Sequence, residues 1–203
     1  MPSKSEITEF QMPGAVEIIS TRPQKLIEIV EPDPTWPESF AIIARRIADA
    51  LGNRLLSIEH VGSTSVPGLP AKAVIDVDVL VADPTAEDSY VPALEAAGFQ
   101  FLLREPGWYE HRLFGFNEPY ANIHVFGPNS AEHVRHRLFR DWLRNHEDDR
   151  QRYVDTKRQA AAASRLAGET VNEYSDRKQS VIHEILQKAF KEHGYLNEQN
   201  SDK

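Results

Sequence analysis

The stretch EHVGSTSVPGLPAKAVIDVDVLV, residues 59–81, decides the fold. It opens at the end of one strand candidate, LLSIEHV (55–61), passes through a loop punctuated by Gly and Pro, and closes on a second, AVIDVDVLV (73–81), dense in β-branched residues. Side chains alternate along a strand, so Asp76 and Asp78 point to one face. Two residues at ~3.3 Å rise put them roughly 6.6 Å apart, where like charges repel by about 2.5 kcal/mol at an effective dielectric near ~20. Val74 and Leu80 continue that face as apolar residues, which argues against simple exposure, so something should offset the repulsion. A divalent cation is the simplest offset: Mg²⁺ or Mn²⁺ suits carboxylate oxygens, and bound phosphate can supply further ligands. The other reading is a pair of acids at a solvent-facing sheet edge.

Working outward, LIEIV (26–30) reads as a short strand, and EPDPTWP turns the chain into a helix with an apolar stripe of Phe40, Ile43, Ala44, Ile47, Ala48 and Leu51, stopped at Gly52. Downstream of the acids, a helix around 86–97 ends at Gly98. Strands are expected at FQFLL (99–103), HRLFGF (111–116) and ANIHVF (121–126). Beyond Gly127 the period changes to 3.6, with helices over roughly 130–145, 147–166 and 171–193. The expected organisation is a mobile leader over 1–24, an α/β core over 25–128, a helical C-terminal subdomain over 129–193 and a frayed tail over 194–203.

Composition limits the function. The 203 residues carry 40% hydrophobic and 27% charged side chains, enough for one globular domain or a compact pair of subdomains. With 31 acidic against 23 basic residues the formal charge is −8, so a broad grip on nucleic-acid backbone is not expected and phosphate recognition must be local. The absence of Cys removes disulfides, thiol nucleophiles and thiolate metal sites. No signal-peptide pattern opens the chain and no stretch approaches the ~20 apolar residues of a membrane span, so a cytoplasmic protein without membrane partners is expected.

Within the loop, Gly62 and Ser63 follow a strand directly and are joined by Thr64, Ser65 and Gly68. Amides freed by glycine and three short hydroxyls can cradle phosphate; taken alone the loop reads better as a plain turn, and its weight comes from its spacing to the paired aspartates. A Walker A loop is excluded, because Leu69-Pro70 stands where Lys-Ser/Thr is needed. Lys72 can neutralise the aspartates, touch a phosphate or lie in solvent. In the last helix Lys178 falls near the centre of a stripe of Tyr174, Val181, Ile182, Ile185 and Ala189, so it either snorkels or meets an anion; Lys157, four residues after Tyr153, repeats the pattern. The helix over 130–145 presents His133, Arg137, Arg140 and Arg144 on one face and Val134, Leu138 and Trp142 on the other. Glu59 and His60 project to opposite faces of their strand. Trp108, Tyr109 and Arg112 are read as core packing.

A Gly-Ser pair ending a strand, followed about a dozen residues later by Asp-hydrophobic-Asp, resembles the signature of the DNA polymerase beta-like nucleotidyltransferases. More narrowly, residues 58–81 with IHVF (123–126), LFRDWLRNHEDDRQRYVDTK (138–157) and EYSDRKQSVI (173–182) resemble the GrpB family over about 26–190. The resemblance implies an α/β nucleotidyltransferase-like mixed sheet with flanking helices and a C-terminal helical bundle. It further implies phosphate contacts from Gly62, Ser63, Thr64, Ser65, Lys72, Arg140 and Lys178, and metal on Asp76 and Asp78. The third carboxylate usual in active relatives is replaced by His124, which can ligate a metal or act as acid or base and completes a catalytic set with Asp76 and Asp78; Asn122 beside it can coordinate only weakly, and Glu59 can stand in as the missing acid. The expected activity is Mg²⁺- or Mn²⁺-dependent transfer of a nucleoside monophosphate from an NTP to a small-molecule acceptor. The alternative is a catalytically silent nucleotide- or partner-binding domain of the same fold.

Overall fold

The computed structural model describes residues 1–11 and 14–196. Its elements run α1 (Lys4–Thr8), β1 (Glu17–Ile18), α2 (Trp36–Leu51), β2 (Ser57–Val61), β3 (Ile75–Leu80), α3 (Val91–Ala96), β4 (Gln100–Glu105), β5 (His111–Phe116), β6 (Ala121–Phe126), α4 (Ala131–Asn145), α5 (Glu147–Ala167), α6 (Val171–Asp176) and α7 (Gln179–Glu192). The strands form one six-stranded mixed sheet in the order β1-β4-β5-β6-β3-β2. β3 runs parallel to β6 and antiparallel to β2, and the remaining pairs are antiparallel.

Alternation along β3 assigns its residues to two environments. Ile75, Val77 and Val79 join Ile123 and Val125 of β6 and Phe114 of β5 under Ile43, Ile47 and Leu51 of α2 and Leu94 of α3, all essentially out of solvent. Each such side chain stabilises the fold by roughly 1.5–3 kcal/mol on full burial. The opposite face, carrying Asp76 and Asp78, is roofed by the C-terminal helices. These have their own core of Leu138, Trp142, Leu143, Tyr153, Ile185 and Phe190. The architecture is thus α/β, with helices over both faces of a mixed sheet and one roof built from the helical second half.

Four expectations change. LIEIV is not a strand: only Val30 pairs, in a single bridge with Ala71. Pro32 and Pro34 remove the donors that would carry pairing on past Val30, and Ile27 packs with Ala160, Ala161 and Tyr174. The leader is tied to the fold. Ser3 and Glu6 close a capping box on α1, Ile7 is buried, Arg135 donates to the carbonyls of Glu6 and Ile7, and Arg22 is only 8% exposed. A five-residue helix and a two-residue strand are too short to leave a periodic signal. The helix expected over 171–193 is two helices, α6 and α7, meeting at Arg177 and Lys178, where the Lys178 amide bonds back only three residues to Ser175. At the C-terminus Tyr195 and Leu196 fold back onto Phe190, so this part of the expected tail is packed; 197–203 lie outside the described residues.

Candidate active site

Register arranges the site face in two rows. Val61, Asp76, Asn122 and Gly115 lie side by side, and next to them lie Glu59, Asp78, His124 and Leu113. The two aspartates therefore stand in different rows, and the fold treats them differently.

Asp78 is sealed, with none of its side chain exposed. Its Oδ2 accepts from His133 Nδ1 at 3.0 Å and both its oxygens accept from His136 Nδ1 at 3.0 Å. His133 and His136 come from adjacent turns of α4, and His136 Nε2 lies 3.5 Å from Glu132 Oε1. Burial acts against charge on His136, but the Asp78 carboxylate, with help from Glu132, pushes its imidazole up to about 9, so it is an imidazolium at neutral pH. Burial likewise acts to raise Asp78, and the two histidines outweigh it and hold the carboxyl well below the usual range. The offset to acid–acid repulsion is thus already present in α4.

Asp76 stays partly open, its side chain 29% exposed. Its Oδ1 accepts from Asn122 Nδ2 at 2.9 Å, and Asn122 Oδ1 accepts from Arg22 Nη2 at 2.7 Å. Arg22 itself lies across Gly115, where an added Cβ would come within 2.7 Å of the guanidinium carbon. The other Asp76 oxygen is packed against Gly62, so closely that a Cβ at 62 would overlap it; Gly62 also adopts φ +67°. Gly62→Ala should therefore cost about 1–3 kcal/mol in a urea titration, from left-handed strain plus displacement of the carboxylate. An unchanged midpoint would mean that the turn and the aspartate are not coupled.

Around Asp76 opens a cavity of about 170 Å³ whose lining includes Ser63, Lys72, Asn122, Lys157, Tyr174 and Lys178. Three lysines line it together with a single carboxylate. Lys157 is 2% exposed, donates to the Pro70 carbonyl at 2.5 Å and to Ser63 Oγ at 3.3 Å, and lies 4.7 Å from the Tyr153 ring centroid. Burial, with Lys178 and Arg158 nearby, pushes it down to about 7. Lys178 sits 4.1 Å over the Tyr174 ring, and burial together with Lys72 pushes it down to about 8. Lys72 is lowered too, by burial and by Arg22. Each of these ammonium groups is thus destabilised as it stands, a condition an entering anion relieves.

The cavity brings together Ser63, Lys72, Asp76 and Lys178 of the expected residues, and adds Lys157 and Asn122. Other expected contacts go elsewhere. Thr64 donates to the Val74 carbonyl and Ser65 to the Gly62 carbonyl, so both hydroxyls brace the turn. Arg140 is spent on Glu59 (2.9 Å), the His60 carbonyl (3.0 Å) and Asp141 (2.7 Å), which removes it from the phosphate set and Glu59 from the role of third acid. His124 lies near, with Nε2 3.9 Å from Asp76 Oδ1. Its Nδ1 is 3.0 Å from His111 Nε2, and His111 Nδ1 is 2.7 Å from Glu105 Oε2. Burial pushes His111 down to about 4 despite Glu105. His136, His111 and Glu105 escape a reading of the sequence, although His133 and His136, three apart on an amphipathic helix, were the available signal.

For a metal the donor set is divided. No cation can reach Asp78 while His133 and His136 cover it, and among the described residues no group of three or more His, Asp or Glu side chains is set as a cage. A joint grip by both aspartates does not fit this arrangement. Asp76, half-open beside a phosphate-sized cavity, fits a single cation whose other ligands come from phosphate and water.

A mixed sheet with a Gly-Ser turn at the end of one strand and Asp-x-Asp on the next, roofed by helices, is a nucleotidyltransferase-like fold. Residues 26–188 match the model of the family described as GrpB protein, and the chain belongs to that family. Over 163 residues it is 44% identical to the UPF0157 protein BH1888 of Halalkalibacterium halodurans, covering 80% of this chain and 82% of the relative. It is 41% identical over 174 residues to the UPF0157 protein SCO7215 of Streptomyces coelicolor, covering 86% and 90%. The crystal structure of conserved protein GrpB from Enterococcus faecalis superposes with a TM-score of 0.70 at 28% identity, covering 82% of this chain and 99% of that one. Among the described residues no helix is long and apolar enough to cross a membrane.

Proposed function

We propose that the protein transfers a nucleoside monophosphate from an NTP to a small-molecule acceptor, with Asp76 as the carboxylate facing the reacting phosphate. The observation that supports this is the charge of the cavity: Lys72, Lys157 and Lys178 against Asp76 alone, beside the Gly62-Ser63 turn. At about 170 Å³ it is smaller than the ~300–1,000 Å³ of pockets that enclose drug-sized ligands, so it suits phosphates, with the nucleoside outside it. In the reaction an acceptor oxygen bonds to the α-phosphorus while the bond from that phosphorus to the bridging oxygen breaks. Pyrophosphate leaves with the electron pair, and the lysines neutralise its charge. A bound Mg²⁺ or Mn²⁺, which Asp76 is placed to hold, would supply Lewis-acid stabilisation at the phosphate oxygens.

The enclosure of Asp78 favours a second reading, a silent nucleotide-binding domain of the same fold, because half of the acid pair is committed to α4. Thermal unfolding separates the two. At an NTP concentration of ~100 Kd, binding stabilises by about 2.7 kcal/mol. Transfer predicts that this gain requires Mg²⁺ or Mn²⁺ and disappears in Asp76→Asn. A gain independent of metal and of Asp76 supports the silent domain, and no gain with any NTP ends both readings.

A further inference from the structure

Glu105, His111 and His124 form a hydrogen-bonded line that runs from the end of β4 across β5 and β6 toward Asp76, and its donors follow from the neutral state of His111. A carboxylate only accepts, so the 2.7 Å contact to Glu105 takes its proton from His111 Nδ1. The His111 ring is 2% exposed, packed against the Phe126 ring with centroids 4.8 Å apart and met edge-on by Trp108 at 5.2 Å. Such surroundings keep it neutral. A neutral imidazole with its proton on Nδ1 can only accept at Nε2, so the 3.0 Å bond between the rings takes its proton from His124 Nδ1. His124 then turns Nε2 toward Asp76 Oδ1 at 3.9 Å, beyond hydrogen-bond length, and as a neutral imidazole carries its lone pair there.

We infer that Glu105 and His111 are positioning residues that hold His124 as the Nδ1–H tautomer, presenting bare Nε2 as the base that takes the proton of an acceptor hydroxyl beside Asp76. The proton moves from the hydroxyl to Nε2, the electrons of the O–H bond form the new oxygen–phosphorus bond, and the broken phosphorus–oxygen pair leaves with pyrophosphate. The chemistry rests on the proposed transfer reaction; the tautomer rests on the hydrogen-bond geometry and on the burial of His111.

Long-range ¹H–¹⁵N correlation spectra of the full-length ¹⁵N-labelled protein at neutral pH, with the His124 ring assigned through His124→Gln, test it. The expected wild-type pattern is a protonated Nδ1 and a bare Nε2. His111→Phe keeps a ring in the packing and removes the acceptor, and Glu105→Ala frees the far end, so each should replace the single pattern with a mixture or with the opposite tautomer. A wild-type His124 protonated on Nε2, or a pattern unchanged in both folded variants, overturns the inference. If the variants do not fold, the wild-type spectrum decides alone. The expected tautomer in a protein that binds no NTP would sink the transfer reading and spare this one, whereas the opposite tautomer in a protein that transfers nucleotides would do the reverse.

Discussion

Asp78→Ala should lower the stability of the fold by about 3–5 kcal/mol, read as a fall in the urea midpoint at unchanged slope, because it strands a half-buried imidazolium and a second, buried imidazole donor. Asp78→Asn should lose nearly as much, since an amide keeps the shape but not the charge. The pH dependence gives a second handle. The folded value of His136, raised from 6.5 to about 9, lies above its unfolded value, so its contribution is complete below about 6.5 and is lost as pH rises through 9. At ~1.36 kcal/mol per pH unit the step is worth at most about 3 kcal/mol. Asp78 is depressed, so the same ion pair also fails in acid, below the ordinary carboxylate range near 3.8. Both describe one interaction and are counted once. Asp78→Ala should flatten the loss between pH 6.5 and 9. A destabilisation below ~1 kcal/mol would show that the pair is not the anchor between β3 and α4.

Lys157→Met should act in opposite directions on stability and binding. The wild-type ammonium is pushed from 10.5 to about 7, so the unfolded chain holds the proton more tightly and stability rises with pH between those values. Replacing it with an apolar side chain of similar length removes that cost but leaves the Pro70 carbonyl without its donor. The expected net gain is about 1–3 kcal/mol near neutral pH, with the rise toward alkaline pH abolished. The same variant should bind triphosphate about 10–100-fold more weakly, the range for losing one charged hydrogen bond. Isothermal titration and urea unfolding on the same sample check both halves. A variant that binds as tightly as wild type would remove the cavity from the nucleotide site.

The elements that the sequence makes legible are those whose signal is local. HRLFGF and ANIHVF fall on β5 and β6 residue for residue, and the apolar stripe of α2 is continuous over about three turns. LIEIV has the composition of a strand, but its pairing depends on the neighbouring segment, where Pro32 and Pro34 decide against it. Lys178 reaches the expected neighbourhood by an unexpected route. It is not at the centre of a helical stripe but at the first position before α7, where the break from α6 points it into the cavity. The acid pair was readable as an anomaly and not as an arrangement. Which aspartate stays open depends on the rotation of α4, whose His133 and His136 lie 55 and 58 residues further along the chain from Asp78. Glu105 and His111 became visible only through the register of β4, β5 and β6.

Arg22 lies four residues ahead of the segment over which the family match begins. It spans Gly115 and fixes the amide of Asn122, which in turn holds Asp76. The centre of the molecule is therefore set in part from outside the matched segment, like an arch whose keystone is wedged by a stone from the adjoining wall. Trimming a recombinant protein to the boundary suggested by its kin would leave β2 to β6 in place and remove the guanidinium that steadies the Asn122 amide against Asp76.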